Sequence, residues 1–247
     1  MPKLFDENTN TQGVIVYGGE SSSDYGMVVA EAPAFERARR KETIFPVPGR
    51  NGAIIVQEEA WEDVPRPYKV WLAEDGNDTL AEKVDAFEAW LNSQSGYTRL
   101  EDNFEPDVFR LAYYSGGDGF TNELTQYGEA TLSFTCRAER FLKIGETAIA
   151  VSDGDVIENP TRFTSKPLIH IEGSGEVIIT IGHKTMIATV TDYINIDCER
   201  MDAYRLEAEN MNLYISGAFP TLAPGENGVA ITGNATLVTI TPRYFTV

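Results

Sequence analysis

Apolar and polar residues alternate along short runs throughout this chain, and that period of two constrains the fold more than any other feature. In Ala130-Thr131-Leu132-Ser133-Phe134-Thr135-Cys136 the apolar side chains occupy every second position. An extended strand then turns one face to a core and the other to water. Val14–Tyr17, Met27–Ala30, Ile54–Gln57, Lys69–Leu72 and Phe109–Tyr113 read the same way. They are rich in Thr, Val, Ile and aromatic residues, which suit a pleated, half-buried surface. The later part continues strand after strand: Thr147–Val151, Leu168–Glu172, Val177–Ile181, Thr185–Val190, Ile194–Cys198, Asn212–Ile215, Val229–Thr232 and Thr236–Thr241. Turn residues fall between them, as in Gly173-Ser174-Gly175 and Ile231-Thr232-Gly233-Asn234. Many short strands with regular turns predict a β-sandwich.

One segment has a different period. Leu80, Val84, Phe87 and Leu91 are spaced by four, three and four, which makes one apolar stripe on a helix over 78–92. Asp78 is the expected N-cap, Glu82 and Asp85 place negative charge near the positive end of the dipole, and Gly96 follows the end. A helix with that stripe is expected to lie across a sheet. With 247 residues the chain is long enough for two domains, and 11 Tyr, 12 Phe and 3 Trp are enough to give each a core. The boundary is expected near 138–146, separating a helix-bearing domain, 1–140, from an all-β domain, 141–247.

Charge narrows the function. Residues 1–140 hold 13 Lys or Arg against 25 Asp or Glu, a balance of −12, and residues 141–247 hold 7 against 13, a balance of −6. Affinity for nucleic acid comes from cations that displace counterions from phosphates, so sequence-specific nucleic-acid binding is not expected. The acidity serves solubility and could also repel DNA. No apolar run approaches the ~20 residues of a membrane span, and Met1–Asp6 has no apolar signal region. Cys136 and Cys198 form no CxxC pair and read as buried free thiols of a reducing compartment.

No catalytic or cofactor constellation stands out. His170 and His183, the two histidines, have no HExxH and no nearby Cys pair, so neither a zinc site nor a histidine-activated nucleophile is expected. G-x-S-x-G is absent, and no carboxylate pair is singled out for glycoside hydrolysis. Glu74-Asp75-Gly76-Asn77-Asp78 and Asp153-Gly154-Asp155 look faintly like calcium loops. They lack the EF-hand spacing, and Asp-Gly also makes tight turns. Catalytic, cofactor and metal residues are therefore expected to be none.

The basic cluster is Arg37-Ala38-Arg39-Arg40-Lys41, flanked by Glu36 and Glu42, and shortly after it comes Val47-Pro48-Gly49-Arg50-Asn51-Gly52. Arg39, Arg40, Lys41, Pro48, Gly49, Arg50, Asn51 and Gly52 make a candidate contact loop for another subunit or a partner. A charged strand edge kept in solvent explains the same residues equally well.

The stretch Glu42 to Gly52, with its Pro-Gly-Arg-Asn-Gly turn, resembles siphophage distal tail proteins (Dit). Asn159-Pro160-Thr161, Ser165-Lys166-Pro167-Leu168-Ile169 and Gly173-Ser174-Gly175 are similar to the same family. So are Ile194–Glu199, Asn210-Met211-Asn212, Phe219–Leu222, Pro224–Asn227 and Ile240-Thr241-Pro242-Arg243, in order across the chain. The resemblance implies a mainly β protein. Its N-terminal β-sandwich-like domain would carry one α-helix and a β-hairpin, and its C-terminal domain would be a galectin-like β-sandwich. It would be a short form without an inserted carbohydrate-binding module.

The role implied is structural: a hexameric ring at the distal end of the virion tail, assembled in the host cytoplasm. Implied partners are the tail tube protein, a tail-tip hub or tail-associated lysin-like protein, the tape measure end and a receptor-binding protein, with DNA passing through the lumen. Gly49, Gly52, Gly173 and Gly175 would supply turns, Pro220 and Pro242 would edge or end strands, and Asp197 or Asn227 would satisfy loop backbone. The rival reading is a carbohydrate-binding adhesin, with Tyr193, Tyr204, Tyr214 and Phe219 as stacking residues, although buried sandwich aromatics account for them too.

Overall fold

A computed structural model describes residues 13–34, 36–73, 78–119, 121–123, 127–206 and 209–247 of the chain. The chain divides into two compact units, the residues up to Arg140 with Val247, and Phe141–Thr246. The first calcium-like loop, Glu74–Asn77, lies outside the described residues.

In the first unit the strands are β1 (Ile15–Tyr17), β2 (Glu20–Ser21), β3 (Met27–Val29), β4 (Arg40–Pro46), β5 (Ala53–Trp61), β6 (Val64–Ala73), β7 (Thr98–Asp102), β8 (Val108–Gly117), β9 (Thr121–Glu123) and β10 (Tyr127–Leu142). Helix α1 (Leu80–Ser93) follows β6. The main sheet runs β2-β1-β7-β8-β10-β6-β3, and β4 with β5 forms a separate two-stranded hairpin. β6 begins earlier than the sequence suggests, because Pro65 and Pro67 lie within it. β3 pairs with Val70–Leu72, so among the described residues the first half of β6 has no strand on that side, where a missing N–H costs no ladder bond.

Helix α1 is capped by Thr79 rather than Asp78. The Thr79 hydroxyl accepts from the Glu82 N–H and the Glu82 carboxylate accepts from the Thr79 N–H. This reciprocal box satisfies two orphan donors where a lone Asp satisfies one. The buried face is Leu80, Lys83, Phe87, Trp90 and Leu91. Val84 is only partly buried, and Trp90 takes the central place. Its indole donates to the Tyr17 carbonyl at 3.1 Å, and its ring stacks on Tyr25 with centroids 4.9 Å apart. Beneath it, Phe134 meets Tyr17 edge-on at 5.1 Å and Tyr68 at 5.9 Å, the geometry that aromatic quadrupoles favour.

In the second unit the strands are β11 (Ile149–Ala150), β12 (Val156–Asn159), β13 (Leu168–Ile181), β14 (Lys184–Val190), β15 (Tyr193–Asp197), β16 (Asp202–Arg205), β17 (Glu209–Asn210), β18 (Ile215–Gly217), β19 (Gly225–Thr241) and β20 (Phe245–Thr246). Two predicted turns are interruptions inside single long strands. Gly173-Ser174-Gly175 lies within β13 and Thr232-Gly233-Asn234 within β19. The β13–β19 pairing shifts register between Glu172 and Val177. A Cβ on Gly173 would lie 2.4 Å from the Asn234 carbonyl oxygen, and one on Gly233 would lie 2.1 Å from that of Glu176. Glycine therefore lets the two backbones close on each other at an irregularity that bends the pair without ending it.

The first half of β13 pairs with β15 and the second half with β14. One long strand thus serves both parts of a curled sheet around Ile169, Ile171, Ile179, Ile181, Ile194 and Ile196. Residues 212–214 form a 3-10 turn, with the strand starting only at Ile215, because Asn212 spends its side chain on the Ala203 N–H and Asp202. Arg243 reaches Asp197 with two bonds, 2.8 and 3.0 Å, while Asp197 also accepts from the N–H groups of Glu199 and Arg200. Asn227 ties the Ala223 N–H and the Gly225 carbonyl.

Candidate functional site

The basic cluster and the Pro-Gly-Arg turn are the two ends of one hairpin. Arg39 precedes β4, and Arg40 and Lys41 open it at the base. Pro48, Gly49, Arg50, Asn51 and Gly52 form the tip between β4 and β5. All eight are exposed. The seven residues of β4, at about 3.4 Å each, hold base and tip roughly 20 Å apart, so the eight do not form one contact patch. At the base the Arg40 guanidinium lies over the Trp61 ring at 4.8 Å, and register slips between Arg40 and Glu42. At the tip Gly49 and Gly52 have φ of 77° and 85°, with no neighbouring atom against a would-be Cβ. Glycine is required there by backbone conformation and not by space.

Sequence reasoning missed the residues between those ends. Ile44 pairs with Ile55, Phe45 with Ile54, and Thr43 with Val56. Successive pairs point to opposite faces, so both faces of the hairpin carry large apolar side chains. Each keeps about half of its surface in water: Ile44 55%, Phe45 52%, Ile54 50%, Ile55 55% and Val56 49%. Neither core takes any of them. A free two-stranded ribbon is marginal by itself, and an apolar surface rimmed by charge marks an interaction site. The signal was present in Ala53-Ile54-Ile55-Val56, where apolar residues occupy consecutive positions and cannot all face one side.

Below the hairpin base the first unit holds a buried ionic knot. Arg66 donates through Nε to the Tyr68 hydroxyl (2.8 Å) and through Nη2 to Asp102 (2.7 Å) and Glu105 (2.9 Å). Tyr68 donates to Asp102 at 2.7 Å. Glu105 also accepts from Arg110 at 2.6 Å and from Arg140. Burial works to raise the Asp102 carboxyl, but the Tyr68 hydroxyl and the Arg66 guanidinium outweigh it and hold the group below the usual carboxylate range. Burial pushes the Tyr68 hydroxyl up, so it stays a donor.

The remaining candidates have structural partners. Asp155 accepts from the Ser152 N–H at 2.7 Å and Asp153 from the Ile231 N–H at 2.9 Å, which makes Asp153-Gly154-Asp155 a turn. Among the described residues no three His, Cys, Asp or Glu side chains gather as metal ligands, and no helix is long and apolar enough to cross a membrane. Cys136 and Cys198 are free and buried, one in each unit. Burial pushes their thiols up to about 11 and about 12, away from the thiolate that reacts.

His170 bridges Asn195 at 2.8 Å and Glu172 at 3.3 Å beside the Tyr193 ring. Of the aromatics weighed as a sugar platform, Tyr193 and Tyr204 are half-buried on the same open sheet face, opposite Glu172 and Asn195 respectively. Tyr214 is exposed, and Phe219 packs against the second core.

No family model and no curated protein matches the sequence. Among solved structures the fold is similar to that of SPP1 Dit (gp 19.1), described as a paradigm of the hub adsorption apparatus in Gram-positive-infecting phages. The TM-score is 0.72 at 14% identity, over 96% of this chain and 100% of that one. The mainly β fold implied by the motif resemblance is therefore the fold found.

Proposed function

We propose that this chain is a structural hub of a long, non-contractile phage tail, assembling as a closed ring at the distal end. The observation that carries this reading is the hairpin of β4 and β5. It projects apolar pairs from both faces, outside either core, which suits an arm that a neighbouring subunit covers. The fold shared with SPP1 Dit over nearly the whole chain supports the same reading. A ring needs a heterologous contact whose rotation closes, and an arm on one subunit received by a different surface on the next is such a contact.

In this reading residues 1–140 form a six-membered ring and residues 141–247 a galectin-like sandwich on its outside. The tail tube protein lies on one side, and the tail-tip hub or tail-associated lysin-like protein on the other. The tape measure end, then DNA, passes through the lumen. Part of the −12 balance of residues 1–140 faces that lumen, so phosphates slide past without being held. The role is non-catalytic and belongs to the virion. Light scattering followed by electron microscopy tests it. Rings of about six copies, alone or with tail partners, are expected; a chain that stays monomeric under all those conditions refutes it.

A second reading, a carbohydrate-binding surface, draws on Tyr193, His170, Glu172 and Asn195 on one open sheet face. Titration of the chain with host cell-wall polysaccharide tests it, and absence of saturable binding removes it.

A further inference from the structure

Asn-Gly occurs twice in this chain, at Asn51-Gly52 and at Asn227-Gly228, and the fold treats the two pairs in opposite ways. Asn51 and Gly52 are exposed at the tip of the β4–β5 hairpin, beyond Pro46 and Ala53, the outermost cross-strand partners. The Arg50 N–H donates to the Val47 carbonyl at 3.3 Å within the tip. Among the described residues, neither the Asn51 side chain nor the Gly52 N–H has a hydrogen-bond partner. No atom lies within 4 Å of a would-be Cβ on Gly52, so neighbouring groups do not restrict the backbone there, and glycine itself restricts it little.

Asn227 is 3% exposed. Its Oδ1 accepts from the Ala223 N–H at 2.8 Å, and its Nδ2 donates to the Ala223 and Gly225 carbonyls at 2.8 Å and to the Ile157 carbonyl at 3.3 Å. Gly228 lies in the β12–β19 ladder opposite Val156. Amide and backbone are both held, so the Gly228 nitrogen reaches the Asn227 Cγ only after local opening.

We propose that Asn51 is a self-modification site, where the hairpin tip converts its own asparagine to aspartate and isoaspartate. The Gly52 backbone nitrogen gives up its proton and attacks the Asn51 Cγ. The N–Cγ bond forms, the Cγ–Nδ2 bond breaks, and Nδ2 leaves with that proton as ammonia. A cyclic imide remains, and water opens it. Addition at the side-chain carbonyl carbon gives aspartate; addition at the backbone carbonyl carbon gives isoaspartate, with the chain rerouted through Cβ and Cγ. Nothing is oxidised or reduced, and water is the one co-reactant. Glycine suits the second position because no Cβ crowds the attacking nitrogen. Either product is ionised at neutral pH. Arg50 is the charged residue of 47–52, so the tip passes from positive to neutral, and an acidic partner surface would lose that attraction. The chemistry does not depend on ring formation.

Incubation of the full chain at mildly alkaline pH, with peptide mapping by mass spectrometry over time, tests the assignment. Isoaspartate is read separately, through methyl transfer from S-adenosylmethionine by a protein-isoaspartate methyltransferase. Asn51 should convert about tenfold or more faster than Asn227, whose opening breaks several hydrogen bonds, and isoaspartate should be among its products. In urea, where both pairs are released, the two rates should converge. Asn51→Gln should remove the early isoaspartyl signal, because the larger ring it needs closes more slowly. The hairpin lies outside both cores, and near-ultraviolet circular dichroism checks that the variant keeps its fold. Equal rates at Asn51 and Asn227 in the folded chain overturn the proposal. So do an Asn51 that stays intact, conversion without isoaspartate, a rate gap undiminished in urea, or an isoaspartyl signal undiminished in Asn51→Gln. If that variant fails to fold, the rates of the two wild-type pairs, folded and in urea, decide the matter by themselves.

Discussion

Replacing Ile44 and Ile55 with serine separates the hairpin's role in assembly from its role in folding. The two are cross-strand partners on one face, and each keeps 55% of its surface in water. Burying a whole isoleucine is worth about 1.5–3 kcal/mol, so covering the exposed part of each is worth about 0.8–1.6 kcal/mol. The pair then contributes about 2–3 kcal/mol to association, and its loss should weaken each contact about 30–150-fold. Neither residue belongs to a core, so the monomer should hold its stability within about 0.5 kcal/mol, a melting shift under about 2 °C. Sedimentation velocity across a concentration series, with calorimetry of the same samples, reads both quantities. Assembly unchanged from wild type would refute an interface on this face. A melting temperature lowered by many degrees would show that the pair is packed in the fold. Phe45→Ser with Ile54→Ser asks the same of the opposite face.

The other perturbations address what holds each unit. Glu105→Gln removes the carboxylate shared by Arg66, Arg110 and Arg140 and should cost about 3–5 kcal/mol, as breaking a buried ionic group does; chemical denaturation measures it, and a loss below about 1 kcal/mol would mean that water replaces the carboxylate. Asp197 is held below the usual carboxylate range: burial opposes this, and the bonds from Arg243 and from the Arg200 and Glu199 N–H groups prevail. Its stabilisation is therefore full above the unfolded carboxylate pKa of about 4 and disappears as pH falls through the lower folded value. Melting curves from neutral to acid pH should show that loss, and Asp197→Asn should flatten it. Thr79→Ala breaks the capping box of α1 and should cost about 1 kcal/mol, measured by denaturation; an unchanged midpoint would show that tertiary packing alone holds the helix start.

Periodicity was enough to read most of the strands and the helix, because backbone period acts residue by residue. Ala130–Cys136 and Leu168–Glu172 became strands, and Leu80, Phe87 and Leu91 face a core as their spacing requires. The Thr79–Glu82 box was also legible, as a Thr three residues before a Glu ahead of an apolar stripe, although Asp78 drew attention first. Long-range approach left no such local mark. Whether Gly173 and Gly233 end strands or bend them depends on another backbone 2–3 Å from a missing Cβ. Pro65 and Pro67 look like strand breakers until β3 is seen to stop short of them.

The candidate site divides in the same way. Its charged ends, Arg39–Lys41 and Pro48–Gly52, were visible as residue types. Its apolar middle was visible as sequence but not as surface, since Ile54-Ile55-Val56 reads equally as a buried strand. Folding places this hairpin outside both cores and brings Arg66, Arg110 and Arg140 onto the one carboxylate of Glu105. Two β-rich halves and a single helix signal are legible in the residue pattern, because periodicity is a local property of the chain. Which apolar face is left uncovered depends on what the rest of the fold places beside it, and no residue carries that information alone.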